Sequence, residues 1–312
     1  MRHGDCRGHS LVELLVAMGL AALAGTILLP AVFTLQARSL AEVSRSELQA
    51  RAGRLLRFLG TDLREAAFLV GATPRRATGS APVLVHDSRS GDPAETLVFA
   101  LLPEDGGAAG DDALTMVTAE SFFPPLSLEQ AAEAGATVLY LDRRPNQAPG
   151  SSREIRPAPE AISHVVLANH RACYPVGVAG QALQLLEGLA VPAPSATELL
   201  GLRAHRYYLA RSGGFGRLRC DDFTSDEILD DAVDGLQFEY LLADGRLVDL
   251  PEDQRTIRAI RLSLLVRDLR ADRDYHNNAV YRLGNCSYGP YNDAFRRIVV
   301  HEMVEVKNYG LF

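Results

Sequence analysis

Apolar and polar positions divide the chain into an unbroken apolar run, a helical stripe and a series of short strands. From Leu14 to Ala37 no residue is charged, 24 positions in a row. As a helix this run is roughly 36 Å long. A bilayer core is about 30 Å thick, so the run is expected to span it with some tilt. Beyond it, Leu48, Ala52, Leu55 or Leu56, Leu59, Leu63 and Ala66 or Ala67 recur at helical spacing. Arg51, Arg54, Arg57 and Arg64 mix with Glu47, Asp62 and Glu65 on the other side, which makes the helix amphipathic. Gly53 and Gly60 weaken it by about 1 kcal/mol each relative to alanine, so the stripe is expected to pack on a sheet. It runs for only about three heptads and is rich in arginine, which favours packing within the subunit over a coiled-coil stalk. Gly71 and Pro74 end the helix, which is expected from about Ser10 to about Val70.

Strand patterns follow at 82–86, 96–102, 115–118, 137–141, 163–168 and 181–186. Residues 205–210 and 215–220 read as a hairpin across Gly213-Gly214. Residues 235–241, 257–267 and 295–306 complete the set. Two short helices are predicted between strands. One covers 127–134, with Ser127 as N-cap and Gln130 closing a capping box. The other covers 225–233, with Asp226 and Glu227 near its N-terminus. Residues 104–112 (EDGGAAGDD) read as a flexible acidic loop and 142–160 as a surface loop.

The apolar run carries one anomaly at its mouth, Glu13. A carboxylate buried in lipid without a partner costs several kcal/mol. Before it stands a leader, residues 1–8, with Arg2 and Arg7 against Asp5. Positive charge ahead of a first span favours a cytoplasmic N-terminus and an exported chain behind it. A secretory signal cleaved after the run is disfavoured, because Leu35-Gln36-Ala37-Arg38 continues the helical pattern.

Gly8, a polar-apolar stretch and then Glu13 resemble the type IV prepilin processing motif. The resemblance implies that a dedicated membrane peptidase cuts after Gly8 and methylates the new amine of His9. Glu13 is then the fifth mature residue, and Pro30 stands where many type IV pilins have a helix-loosening proline. His9 departs from the family pattern, which prefers Phe. Glu13 of one subunit is expected to pair with the His9 amine of a neighbour, so that neither charge is buried alone. Its alternative role is to snorkel to the membrane interface.

Further along, Asp62-Leu63-Arg64-Glu65, the hairpin from His205 to Cys220, the segment Val233-Asp234-Gly235-Leu236-Gln237-Phe238-Glu239-Tyr240 and the strand from Ile257 to Arg267 resemble, in that order, the PilW family of minor pilins. The GspJ-type minor pseudopilins of type II secretion are similar. This resemblance implies an α+β ladle: a long N-terminal helix, half membrane-spanning and half amphipathic, packed on a mainly antiparallel sheet. The implied domains are a cleaved leader (1–8), a transmembrane helix (9–37), the amphipathic half of that helix (38–70) and an exported β-rich domain (71–312). The implied function is that of a minor type IV pilin in the priming or tip complex that initiates pilus assembly. Its partners would be prepilin peptidase, other minor pilins and the major pilin, the inner-membrane assembly platform and membrane lipid. The implied location is the inner membrane before assembly, then the periplasm and the extracellular pilus. The alternatives are a GspJ-like pseudopilin and, from another class, a membrane-tethered periplasmic enzyme or binding protein.

Composition adds limits. Basic residues number 32 and acidic residues 39, a net charge of −7 with no basic block. Direct nucleic-acid binding therefore has no electrostatic footprint. No nucleophile elbow, phosphate loop or dinucleotide fingerprint occurs, so neither an enzyme nor a cofactor is expected. His301-Glu302 begins like a zinc-protease helix, but residue 305 is Glu, and no metal site is expected there. Asp221, Asp222, Asp230, Asp231 and Asp234 form an acidic cluster without the alternation of a calcium loop. It reads as a solvated helix face, with a calcium site as the alternative. Of four cysteines, Cys173, Cys220 and Cys286 lie beyond the leader and allow three pairings. Given the pilin resemblance, Cys220 with Cys286 is the candidate disulfide, against buried free thiols.

Overall fold

The computed structural model describes residues 11–70, 83–86, 93–97, 99–142, 164–168, 173–177, 182–223 and 225–308. The chain forms two compact units, Met1–Arg51 and Ala52–Phe312. Helix α1 (Leu11–Glu65) makes up the described part of the first, and its final turns open the second. In those turns Ala52, Leu59 and Leu63 are buried and Leu55 nearly so, the stripe expected from their spacing.

Strands dominate the second unit. In chain order they are β1 (Val83–His86), β2 (Pro93–Leu97), β3 (Leu101–Glu104), β4 (Ala113–Leu128), β5 (Val138–Asp142), β6 (His164–Leu167), β7 (Cys173–Gly177), β8 (Ala182–Leu185), β9 (Glu198–Ser212), β10 (Phe215–Asp221), β11 (Asp226–Asp230), β12 (Val233–Leu242), β13 (Leu247–Val248), β14 (Ile257–Arg267), β15 (Tyr281–Leu283), β16 (Cys286–Tyr288) and β17 (Arg297–Glu305). The largest sheet runs β11-β10-β9-β6-β7-β8-β5-β4-β3, with β9 pairing β4 as well. That extra pairing closes β4, β5, β8, β7, β6 and β9 into a ring of six antiparallel strands. Leu126, Leu139, Val165, Tyr174, Leu183 and Leu199 fill its interior, as side chains fill small barrels. A second sheet, β13-β12-β14-β17, is antiparallel throughout.

The end of α1 is tied to both sheets. Tyr207 of β9 donates its phenol to Asp62. Arg64 pairs with Glu302 of β17 at 2.6 Å. The turn that follows is stitched to β4, with Ala67 N–H donating to the Val117 carbonyl at 2.7 Å. The last of these pairs a backbone N–H that the turn would otherwise bury unsatisfied.

Several expectations need correction. The α+β ladle, with a long N-terminal helix laid on a sheet, is not the observed architecture. The second unit is mostly strand, and the helix it contains is the short stretch from Ala52 to Glu65. Nor does the structure support a membrane span or a single-pass inner-membrane location. Among the described residues no helix is long and apolar enough to cross a membrane. In α1 the described leucines are interspersed with Gly19, Ala22, Ala24 and Thr26. The helix predicted at 127–134 is absent: Ser127 instead ends β4, pairing Asp142 and Glu198. The helix predicted at 225–233 is β11 and the start of β12. There Arg219 and Tyr208, from neighbouring strands, bond the Asp226 carboxylate, which therefore does not cap a helix.

Candidate functional site

The sequence-predicted processing residues lie mostly beyond description. Gly8 and His9 fall outside the described residues. Glu13 and Pro30 belong to α1, but their side chains are likewise outside the description. Cys173, Cys220 and Cys286 are all free thiols, so no disulfide joins Cys220 to Cys286. Cys220 Sγ lies 3.8 Å from His205 Nδ1, whereas Cys286 packs with Leu265, Leu283 and Tyr288. Burial pushes the Cys220 thiol up to about 11 and Cys173 up to about 12, which keeps both unreactive at neutral pH.

The acidic cluster does not act as one group. Asp221 accepts from Phe223 N–H, and Asp222 accepts from Ser225 N–H. Asp230 accepts from Ala232 N–H, and Asp231 pairs with Arg217 at 3.1 Å. Asp234 lies elsewhere, wholly inside the protein. Among the described residues no group of three His, Cys, Asp or Glu side chains could hold a metal ion.

Asp234 is the centre of the most elaborate arrangement in the second sheet. It stands on β12 and accepts from Arg297 Nε of β17 at 2.7 Å. Arg267, at the end of β14, approaches the same carboxylate at 3.2 Å. Gly216 N–H of β10 donates to it at 3.2 Å. Arg297 then makes a two-pronged pair with Asp293, both bonds 2.7 Å. Aromatic rings flank the cations. Arg297 stacks 3.6 Å from the Tyr291 ring centre, and Arg267 lies over Phe215 and Phe295 at 4.3 and 4.9 Å. Two guanidiniums and two carboxylates balance in charge. The bidentate and stacked geometry is what arginine supplies and lysine does not.

A second clasp joins the 104–112 segment to β12. Asp112 accepts from Phe238 N–H at 2.8 Å and from Gly106 N–H at 3.1 Å. Tyr288 donates to Asp111 at 2.9 Å, and Gln237 donates to Tyr288 at 3.1 Å. Burial raises the Asp112 carboxyl to about 6, despite these bonds and with Asp105 and Asp249 nearby. The segment read as a flexible acidic loop is thus docked by its own aspartates.

Neither arrangement follows from the local sequence pattern. One signal was present: Asp234 is a carboxylate inside the apolar alternation of β12, and Arg267 ends that of β14.

The geometry defines a β-rich module whose polar centre, Asp234 with Arg297, is sealed from solvent. Residues 229–308, from the end of β11 through β17, match the family model described as PilW, type IV pilus-assembly protein W. The match is a similarity over that part of the chain and supports involvement in type IV pilus assembly. No curated protein and no solved structure matches the chain.

Proposed function

We propose that the chain is a minor pilin, incorporated with other minor pilins into the complex that primes pilus assembly and remains at its tip. The observation that carries this reading is the PilW match over 229–308, which coincides with the sheet built around Asp234. Prepilin peptidase cuts after Gly8 and methylates His9. Glu13 of the processed chain pairs with the N-terminal amine of a neighbouring subunit, and Pro30 loosens the helix for that docking. The described part of α1 is consistent with such a role. Leu11, Leu14, Leu15, Met18, Leu20 and Leu23 are all exposed, and apolar surface of that extent marks an interaction site. Helices of other subunits would cover it. The chain acts by assembly, not by catalysis.

The test is the intact mass of the mature chain from cells with and without prepilin peptidase. An N-terminus at His9, present only with the peptidase, is expected. Glu13→Ala should be processed normally and fail to enter pili. A mature N-terminus anywhere other than His9 would overturn the reading.

A further inference from the structure

A cavity of about 340 Å³ opens where the last turn of α1 meets β4 and β9. Asp62 and Glu65 reach it from the helix, Met116, Thr118 and Glu120 from β4, and Arg203 and His205 from β9. Its apolar lining includes the buried Met116 and Ala119. At its rim stands Phe68, half exposed. That ring is carried by a turn in which Ala67 and Leu69 both adopt positive φ, 63° and 60°. The turn is held in place by Ala67 N–H on Val117 and by Ala119 N–H on the Phe68 carbonyl.

The charges in the lining do not balance. Three carboxylates, Asp62, Glu65 and Glu120, face one guanidinium. Arg203 already donates to Glu120 at 2.8 Å and lies 3.6 Å from Asp222. Burial, with Arg203 beside it, holds the His205 pKa below its usual value, so the imidazole adds no positive charge at neutral pH. Thr118 Oγ1 donates to the Glu65 backbone carbonyl at 3.0 Å, and Glu65 is among the residues that line the cavity. Apolar lining, an aromatic ring at the mouth and surplus carboxylates match one chemistry. The apolar lining suits a methylene stem, and the ring and carboxylates suit its cationic head.

We propose that this cavity receives a basic side chain, arginine or lysine, of a partner subunit in the assembly. The identity of the partner rests on the minor-pilin reading; the chemistry of the cavity does not. An anionic ligand would meet repulsion, and a wholly apolar one would desolvate the carboxylates without offsetting their charge.

The experiment is a titration of the purified full-length chain with N-acetyl-arginine amide, N-acetyl-lysine amide and the neutral isostere N-acetyl-citrulline amide. It is followed by NMR at the Met116 methyl and the His205 ring. Saturable shifts are expected with arginine or lysine, and at least about tenfold weaker binding with citrulline. Glu65→Gln should weaken the cationic probe by about fivefold. Phe68→Leu should weaken it comparably, with thermal midpoints unchanged. Equal binding of citrulline, indifference to Glu65→Gln, or no saturable shift with any probe would overturn the proposal. The N-terminal mass measurement decides the pilin reading separately. Arginine binding with a mature N-terminus away from His9 would sink that reading and leave the cavity. The reverse result would sink the cavity alone.

Discussion

Arg297 donates its Nε–H to Asp234 at 2.7 Å, and neither side chain reaches solvent. The pair links β17 to β12 across the intervening β14, whose own Arg267 closes on the same carboxylate. Removing one partner leaves a buried charge alone. Asp234→Ala is therefore expected to cost about 3–5 kcal/mol in urea unfolding. A well-packed apolar replacement of Asp234, Arg267 and Arg297 together should lose less than that single change. A larger loss in the triple variant would show that the network is stabilising beyond its own desolvation.

Gly216 and Gly53 should respond oppositely to alanine. A Cβ at Gly216 would stand 2.1 Å from the Val233 carbonyl oxygen and 2.8 Å from Leu209 Cδ2, and the Val233 backbone cannot yield as a side chain would. Gly216→Ala is expected to destabilise by about 3 kcal/mol or to prevent folding. At Gly53, about three turns before the end of α1, a Cβ meets nothing within 4 Å. Gly53→Ala should stabilise by up to about 1 kcal/mol. Thermal midpoints of the two variants read both effects.

Leu59 and Phe58 are neighbours on α1 with opposite surroundings. Leu59 is 1% exposed and Phe58 47%. Leu59→Ala should cost about 2–5 kcal/mol, while Phe58→Ala should stay within about 0.5 kcal/mol. Equal losses at the two positions would contradict the orientation of the stripe.

Asp112 gives the stability a pH dependence of definite sign. Its folded pKa of about 6 lies above the ordinary 3.8. The folded state therefore holds this proton more tightly than the unfolded chain. The favourable contribution is full below about 4 and is lost as pH rises through about 6. The difference in unfolding free energy between the native chain and Asp112→Asn should shift against the native chain by on the order of 2–3 kcal/mol between pH 4 and pH 7.5. A flat difference would rule out the buried carboxylate as its cause.

Much of this architecture was local enough to read from the chain. Ala52, Leu55, Leu59 and Leu63 declared their face by spacing alone. Gly213 and Gly214, with φ of 61° and 83°, marked a hairpin turn that few other residues would adopt. The alternation at 257–267 gave β14 to the residue. What failed was what depends on distant partners. Ser127 and Gln130 satisfy the local grammar of a helix start, yet Ser127 pairs with Glu198 far along the chain. Asp226 resembles a helix-start acid until Arg219 is known to face it. The polar centre was illegible for the same reason, because Asp234, Arg267 and Arg297 stand on three different strands, β12, β14 and β17, far apart along the chain. The cavity draws on α1, β4 and β9, and no window of sequence contains all three.

The six-stranded ring also dictates an order of events in folding. Leu126 of β4 must find Leu199 of β9, and everything between them must already be routed through β5 to β8. Closure of so long a loop is slow, because its entropy is lost before the contacts reward it. The β9–β10 hairpin, turning on two glycines, can form first and offer β9 as a template. Until β4 arrives, the interior leucines of the unfinished ring remain open to water. The stage at which the chain is most prone to associate wrongly is therefore set by this strand pairing and not by the sheet that carries the family signature.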